Sequence, residues 1–404
     1  FTLQGFGVEP GPEECESRMR IVHIANFYGP KSGGIRTTLH ELGSGYIARG
    51  HEFTYIVPGN GFFCEETLHG KKITVPSIVL PFSGGYRIIR NNRDIRKLLI
   101  TLKPDALEVS DRFTLSKVGL WAKKRGIHTV VFSHETLSGL VKSFFKVEIK
   151  WFVNWHNTRL ATRFHNVIAT TEFAAREFRE INTKNLSHVP LGVDLQTFSP
   201  YRRNETLRTE LLKGADVLLV HCGRMSREKN PQNSILALKE LSAAGVNARL
   251  IFVGMGPMFK NLKAISKDLP VTFMGYIVDR KMLAEIIASA DVSIAPGPIE
   301  TFCLAALESL ASGTPVVASS TSAVGEFLLL NSPEPVGAVA ENNPNSFSQA
   351  IQRVLGYNAA DRAMSIRCQQ QAENYPWSST LMMMLRLHGA GREVSANYKR
   401  LKAA

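Results

Sequence analysis

The segment PGPIETFCLAALESLASGTPVV, residues 296–317, places Glu300 and Glu308 eight positions apart. The apolar run before it, its turn residues and its later small and apolar residues predict a strand, a loop carrying Glu300, and a helix from about Phe302. At 100° per residue, Glu308 lies about two turns further along and is offset by roughly 80°. This separation suits two contacts along one elongated ligand. The alternative is structural, with Glu300 as a helix N-terminal acid and Glu308 as a buried cap partner.

Short apolar runs alternate with longer helical patterns along almost the whole chain, on both sides of this segment. Such alternation favours parallel sheets with helices on both faces. The predicted strands are RIVHIA (20–25), FTYIV (53–57), KITVPSIVL (72–80), ALEVS (106–110), HTVVFS (128–133), NVIAT (166–170), VLLVHCG (217–223), ARLIFVG (248–254), VTFMG (271–275), VSIAP (292–296) and PVVAS (315–319).

The alternation stops at the turn-rich stretch VPLGVDLQTFSPYRRNETLR (189–208), which we interpret as a linker. We therefore predict an α/β fold with two Rossmann-like domains, residues 19–195 and 196–374, facing each other across a cleft. Ligands of such sheets bind at the carboxyl ends of the strands, where loops and helix N-termini meet. Residues 1–18 are predicted to be a disordered extension, and residues 391–404 a polar basic tail.

The charge balance favours anionic partners. The 404 residues include 48 Lys and Arg against 35 Asp and Glu, a formal net charge of +13. A nucleic-acid partner is not expected, because no recognition motif accompanies the charge. The five cysteines lack metal-site spacing and favour a reducing compartment. The same lack of metal-site spacing predicts no bound metal ion. We expect a cytoplasmic protein, because no apolar run reaches the roughly 18 residues that span a bilayer.

Three loops that follow predicted strands carry residues suited to binding an anion. Gly33 and Gly34 precede a helix, whose free N–H groups and dipole favour negative charge. Arg224 and Lys229 place two cations after another strand, where they can neutralise a diphosphate. Gly254 lies in a Gly-x-Gly turn. Ordinary turns and a solvated basic loop are the alternatives for these three features.

Taken together and in their order along the chain, these motifs resemble those of the retaining GT-B glycosyltransferases. This large family includes bacterial mannosyltransferases and the sucrose and glycogen synthases, and the resemblance extends over nearly the whole chain from Met19. It implies that Glu300 contacts hydroxyls of the transferred sugar and that Glu308 holds the nucleotide ribose. The other site residues that it implies are His134 beside the sugar, Arg224 and Lys229 at the diphosphate, and the donor-binding residues Gly33, Gly34, Gly254, Phe302, Cys303 and Leu304.

The resemblance also implies a reaction. An acceptor hydroxyl attacks the anomeric carbon on the face from which the diphosphate leaves, so configuration is retained, and neither a cofactor nor a metal is required. The expected donor is GDP-mannose and the expected acceptor a lipid-linked or other glycan. The alternatives are a UDP-sugar enzyme of glucose type with a soluble acceptor and a non-catalytic nucleotide-binding protein. The helix at about 375–390 is expected to cross back to the first domain.

One position departs from the family pattern. The residue after Phe302 is usually glycine, and here it is Cys303. The added Cβ and thiol are expected to crowd the backbone donors around the sugar and the diphosphate.

A basic amphipathic stretch, YRIIRNNRDIRKLLITLKP (86–104), forms a second candidate surface. As a helix it places apolar residues on one side and Arg90, Arg93 and Lys97 on the other. Its place in the chain resembles the helix by which lipid-modifying members of the family dock on anionic membranes. We therefore expect an anionic membrane surface as a partner, at the inner face of the plasma membrane. The alternative is a solvated helix face. Aromatic residues that follow it, Phe144, Phe145, Trp151 and Trp155, are expected at the membrane or in an acceptor groove.

Overall fold

The computed structural model describes residues 18–29, 33–81, 83, 85–145, 149–360 and 363–403. The predicted extension at residues 1–18 lies outside the described residues, apart from Arg18. The side chains of Phe144 and Phe145, and those of the predicted tail from residue 391, also lie outside them.

The first half of the chain forms an eight-stranded sheet in the order β10-β9-β8-β7-β1-β2-β4-β3. All neighbouring strands are parallel except β3, which pairs antiparallel with β4. A separate antiparallel pair, β5 and β6, lies beside it. The strands are β1 (Arg20–Ala25), β2 (Glu52–Gly59), β3 (Phe63–Thr67), β4 (Gly70–Pro76), β5 (Ile78–Val79), β6 (Arg87–Ile88), β7 (Ala106–Ser110), β8 (His128–Ser133), β9 (Asn166–Ala169) and β10 (Leu186–His188).

The second half forms a six-stranded parallel sheet in the order β13-β12-β11-β14-β15-β16. Its strand order reverses at β11, between β12 and β14, and ligands of open α/β sheets bind at such a switch point. The strands are β11 (Val217–Cys222), β12 (Ala248–Val253), β13 (Val271–Gly275), β14 (Val292–Ala295), β15 (Val316–Ser319) and β16 (Gly337–Ala340).

Helices cover both faces of each sheet, as the buried strands require. They are α1 (Gly34–Ala48), α2 (Asn92–Leu102), α3 (Ser116–Lys123), α4 (Leu137–Phe145), α5 (Lys150–Arg163), α6 (Glu172–Arg179), α7 (Glu205–Leu212), α8 (Gln232–Ala243), α9 (Phe259–Ile265), α10 (Arg280–Ala288), α11 (Leu304–Ala311), α12 (Pro344–Ala360), α13 (Met364–Ala372) and α14 (Trp377–Ala403). Short 3-10 turns occur at Pro200–Arg202, Arg227–Lys229 and Ala323–Phe327.

The prediction of an α/β fold with two parallel sheets is confirmed, and all eleven predicted runs contain strand residues. The prediction of a continuous helix over residues 86–104 is wrong at its start. Ile88 belongs to β6, and Arg90 precedes the helix. The helix begins at Asn92 because the side chain of Asn91 caps it, accepting a hydrogen bond from the backbone N–H of Arg93 at 3.1 Å.

The chain passes between the two sheets twice, and the two passages touch. The N–H of Val193 donates to the carbonyl oxygen of Tyr375 at 2.9 Å. Gly192 lies so close to Trp377 that a Cβ there would overlap its backbone nitrogen. Beyond this contact α14 contributes Leu381, Met384 and Leu385 to the core on one face of the first sheet. The last helix therefore packs on the half of the molecule that contains the N-terminal strands.

Buried histidines make the stability of this fold sensitive to acid. Burial, with Lys229 nearby, lowers the pKa of His221 to about 3, and its Nδ1 lies 2.9 Å from the Ser234 hydroxyl. In the unfolded chain a histidine titrates near 6.5. The unfolded state therefore binds the extra proton below about pH 6.5, and this contribution to stability is lost as the pH falls towards 3.

We expect His221→Asn to flatten the dependence of the unfolding free energy on pH. Between pH 4 and 6 the slope should fall by up to about 1.4 kcal/mol per pH unit, the value for one proton. Denaturant titrations at several pH values measure it. Ile251→Val, in the neighbouring buried strand, serves as a control that lowers stability without removing a titrating group. Equal slopes in wild type and His221→Asn would contradict the assignment.

Candidate active site

The carboxyl ends of strands from both sheets face each other where the sequence places its candidate residues. The hydroxyl of Thr301, in the loop after β14, donates to the carbonyl oxygen of His134, which follows β8. A Cβ added to Gly34, at the start of α1, would lie 3.9 Å from the side chain of Leu304, at the start of α11. The two halves are therefore in contact at this edge, and the N-termini of α1 and α11 lie on either side of it.

Glu300 is paired with Lys229. The Lys229 Nζ lies 2.5 Å from Oε1 and 2.7 Å from Oε2 of the carboxylate. Burial alone lowers the pKa of Lys229, but the Glu300 carboxylate outweighs it, so the pKa lies above its ordinary range. Lys229 is therefore a cation at neutral pH, held against the Glu300 carboxylate. The structure thus brings together an acid predicted at the sugar and a cation predicted at the diphosphate.

Glu308 has a different cation. Arg280, the first residue of α10, donates from its guanidinium to Oε1 of Glu308 at 2.9 Å. The same guanidinium lies over the ring of Phe198, 4.9 Å from its centroid. Burial raises the pKa of Glu308, and Arg280 opposes that shift without cancelling it. Sequence analysis missed Arg280, because nothing in its local pattern distinguishes it from a surface residue in the first turn of a helix.

Arg224 reaches across to the first half of the chain. Its guanidinium donates to the carbonyl oxygen of Ser83 and lies 3.7 Å from the centroid of the Tyr86 ring. Arg224 thus contacts the loop between β5 and β6. This contact ties the loop after β11 to the opposite side of the cleft, and no sequence signal pointed to it.

The helix that carries Glu308 begins later than predicted, at Leu304 rather than near Phe302. Cys303 is its N-cap residue and adopts a left-handed conformation with φ 68°, which glycine tolerates and a side chain disfavours. Phe302 packs its ring against Phe327 and Tyr375 in the core, so only its backbone is available to a ligand. Among the described residues, the N–H groups of Cys303 and Leu304 donate to no protein acceptor.

The family that the sequence resembles usually has glycine at this position, and the left-handed backbone angle explains that preference. Burial and the nearby Glu300 carboxylate raise the pKa of Cys303 to about 12, so its thiol stays protonated at neutral pH. Cys303 therefore carries a neutral thiol near Lys229 and Glu300, which does not suit a nucleophile.

The glycines of the first and second halves differ in their surroundings. No side chain of the described residues caps α1 at Gly33, and, its chain neighbours apart, none of their atoms lies within 4 Å of where its Cβ would be. Gly254 instead has φ 132°, and a Cβ there would overlap the carbonyl oxygen of Gly223. The open N-terminus of α1 thus suits an anion, whereas Gly254 allows the loops after β11 and β12 to approach each other.

His134 is held on one side of its ring. Its Nε2 lies 2.8 Å from the hydroxyl oxygen of Ser110, and the ring stacks on Phe132 at 5.5 Å between centroids. Burial, with His23 near, lowers the pKa of His134 to about 3. The imidazole is therefore neutral at physiological pH. Nδ1 makes no hydrogen bond within the described part of the chain and is free for a ligand.

Arg90, Arg93 and Lys97 are exposed, Arg90 just before α2 and the other two on that helix. Trp151 and Trp155 of α5 are also exposed, at 73% and 51%. Within the described ranges, no helix is both long and apolar enough to cross a membrane. No three acidic, histidine or cysteine side chains of those ranges are grouped closely enough to hold a metal ion.

The chain is similar to known glycosyltransferases over both of its halves. The family model described as Glycosyltransferase Family 4 matches residues 32–197, and the model described as Glycosyl transferases group 1 matches residues 203–373. Among curated proteins, the chain is 43% identical over 374 residues to a GDP-mannose-dependent alpha-(1-6)-phosphatidylinositol dimannoside mannosyltransferase of Mycobacterium tuberculosis (strain ATCC 25177 / H37Ra). This match covers 92% of the chain and 96% of that protein.

More distant relatives and a solved structure are also glycosyltransferases. A GDP-mannose-dependent alpha-mannosyltransferase of Corynebacterium glutamicum is 26% identical over 309 residues, 74% of the chain and 72% of that protein. The structure superposes on the sucrose-phosphate synthase of Thermosynechococcus elongatus with a TM-score of 0.72 at 21% identity, covering 96% of this chain and 100% of that one. The fold, the two matched models and the 43% identical relative confirm the resemblance read from the motifs: the chain belongs to the GT-B glycosyltransferases.

Proposed function

We propose that this chain transfers mannose from GDP-mannose to a lipid-linked acceptor, with retention at the anomeric carbon and without a metal ion. The observation that carries donor and acceptor is the 43% identity to the Mycobacterium tuberculosis protein, whose description names both GDP-mannose and a phosphatidylinositol dimannoside. The match spans 96% of that protein, so both halves of the cleft are included. The proposed domains, residues 19–195 and 196–374, are supported by the limits of the two matched models.

In this proposal the donor lies along the edge where the two sheets meet. Glu300 accepts hydrogen bonds from mannose hydroxyls, and Glu308 accepts them from the ribose. Lys229, Arg224 and the N–H groups at the start of α11 surround the diphosphate. Each carboxylate already has a cation beside it, which orients the side chain before the donor binds.

The chemical step needs stabilisation of the leaving group. Negative charge grows on the β-phosphate as the bond to the anomeric carbon breaks, and the cation of Lys229 and the helix N-terminus act on that charge. The acceptor hydroxyl attacks from the same face and gives its proton to the leaving phosphate. The proposal of metal independence rests on these fixed positive groups, which supply the charge that a metal ion supplies elsewhere.

We expect Glu300→Gln to lower kcat for mannosyl transfer by about 10²–10³-fold, the usual cost of losing one transition-state contact. The amide keeps the shape of the side chain but neither its charge nor two acceptor oxygens. Transfer from GDP-mannose to a phosphatidylinositol mannoside in the presence of EDTA measures it, with UDP-glucose as the competing donor.

Glu240→Gln provides the matched control, because Glu240 is an exposed acid on α8 and its loss should leave kcat unchanged. A kcat for Glu300→Gln within twofold of wild type would exclude the proposed role. Faster transfer from UDP-glucose would exclude GDP-mannose as the donor, and loss of activity in EDTA would exclude the metal-independent mechanism.

We also propose that the first domain docks on an anionic membrane through a basic and aromatic face. Arg93 and Lys97 lie on the exposed side of α2, and Arg90 lies just before it. The face continues to α5, because Asn92 of α2 donates to the carbonyl oxygen of Thr114 at 3.1 Å, and the neighbouring Phe113 ring lies 5.4 Å from His156 of α5. Its exposed aromatic residues are Phe113, Trp151 and Trp155.

We expect Arg90→Ser/Arg93→Ser/Lys97→Ser to reduce binding to anionic vesicles by about a hundredfold. Each basic residue near an anionic surface contributes about 1 kcal/mol, and salt screens that contribution. Co-sedimentation with phosphatidylserine-containing vesicles and with neutral vesicles measures the loss.

The control removes the same charge elsewhere. Lys260, Lys263 and Lys267 are exposed along one side of α9 and its C-terminal end, in the second half of the chain. Changing all three to Ser should leave vesicle binding nearly intact. Equal losses of vesicle binding in the two triple variants would show that only net charge matters and would contradict a specific docking face. Equally strong binding of wild type to neutral vesicles would refute the electrostatic account.

A further inference from the structure

A chain of buried hydrogen bonds leads from His134 into the first sheet. The hydroxyl of Ser110 lies 2.8 Å from Nε2 of His134 and also 2.8 Å from Nε2 of His23. Nδ1 of His23 lies 2.6 Å from Oε2 of Glu108. His23 and Glu108 are paired residues of the adjacent parallel strands β1 and β7, and Ser110 follows two positions later on the same face. The strands themselves therefore fix this alignment.

Glu108 is the charged centre of this network. It is fully buried, and its Oε1 accepts hydrogen bonds from the Tyr46 hydroxyl at 2.6 Å and from Nε2 of His388 at 2.8 Å. Burial alone raises the pKa of Glu108, but its hydrogen bonds to His23 and His388 outweigh it, so the pKa is lowered. Glu108 is therefore an anion, and His388 joins it to α14.

The partners of His388 determine where its protons lie. Nε2 of His128 lies 3.1 Å from the side-chain oxygen of Asn166, so His128 donates there. Burial lowers the pKa of His128 to about 3, which leaves it neutral, with a lone pair on Nδ1. That lone pair faces Nδ1 of His388 at 3.2 Å. His388 thus donates from Nδ1 to His128 and from Nε2 to Glu108, and it carries the positive charge that balances Glu108.

A second buried cation would have no counter-charge within this network, so we assign His23 a single ring proton. Its Nδ1 donates to Glu108, and its Nε2 keeps the lone pair. The Ser110 hydroxyl then donates to His23 and accepts from His134. His134 consequently carries its proton on Nε2 and leaves the lone pair of Nδ1 for a ligand hydroxyl.

We propose that Glu108 is a positioning residue for His134, fixing through His23 and Ser110 which nitrogen of His134 carries the proton. The consequence for catalysis rests on the proposed function, in which His134 lies beside the transferred mannose. There Nδ1 accepts a hydrogen bond from a sugar hydroxyl. The network also joins the sugar side of the cleft to α14, whose His388 supplies the counter-charge.

Glu108→Gln and Ser110→Ala disturb this series of hydrogen bonds in different ways. Glu108→Gln offers His23 an amide donor in place of an acceptor, and this reverses every bond up to His134, so the His134 proton moves to Nδ1. Ser110→Ala removes the link and leaves Nε2 of His134 without its protein acceptor. Ser234→Ala is the matched control, since it removes a buried serine hydroxyl from another buried histidine, His221, in the second sheet.

Nitrogen-15 NMR of histidine-labelled protein reads the proton position directly. The chain has eleven histidines, and loss of one ring in His134→Gln assigns the signal. We expect a protonated Nε2 in wild type, a protonated Nδ1 in Glu108→Gln, and a fast-exchanging Nε2 proton in Ser110→Ala. A protonated Nδ1 in wild type, or a signal unchanged in both variants, would overturn the proposal whether or not the protein transfers mannose.

Kinetics provide the second readout. Glu108→Gln and Ser110→Ala should each lower kcat about tenfold, roughly the contribution of one hydrogen bond, with GDP affinity within twofold of wild type. The double variant should be no slower than the slower single variant, because both substitutions interrupt the same series of hydrogen bonds. Losses that multiply to about a hundredfold, or an equal loss in Ser234→Ala, would reduce both residues to structural roles.

Discussion

The ion pair between Lys229 and Glu300 is the interaction on which the proposed active site depends. A carboxylate at the carboxyl end of a buried strand is costly to leave without a cation. The Lys229 Nζ lies within hydrogen-bonding distance of both oxygens of the Glu300 carboxylate. Arg280 does the same for Glu308, two turns of helix away. With a cation beside each acid, the N–H groups of Cys303 and Leu304, which have no acceptor in the described part of the chain, can receive an anion.

Contacts between the two halves of the chain bring residues of the first half to the same cleft. Thr301 donates to the carbonyl of His134, Arg224 reaches Ser83, and the N-terminus of α6 is capped by the Glu326 carboxylate, which accepts from the N–H of Phe173 at 2.6 Å. The two chain passages near Val193 and Tyr375 are themselves hydrogen-bonded. Residues that follow strands of different sheets thereby line one cleft.

Features set by local sequence patterns could be predicted, whereas contacts between residues far apart in the sequence could not. Both parallel sheets and the cleft followed from strand patterns, since buried parallel strands are apolar throughout. The spacing of Glu300 and Glu308 pointed to an elongated ligand. The start of α11 was misplaced, because Cys303 adopts at the N-cap a left-handed conformation that usually requires glycine. Arg280 was missed because Glu308 lies 28 residues away, and the network of Glu108 was missed because its partners lie between 62 and 280 residues away.

The most direct test of the account is a crystal structure with the 2-fluoro analogue of GDP-mannose, which binds as the donor but transfers slowly. The account predicts the Glu300 carboxylate within hydrogen-bonding distance of mannose hydroxyls, Glu308 within reach of the ribose, and the diphosphate beside Lys229 and the N–H groups of Cys303 and Leu304. A nucleotide bound elsewhere, or one bound in the cleft with Glu300 and Glu308 contacting only Lys229 and Arg280, would contradict it.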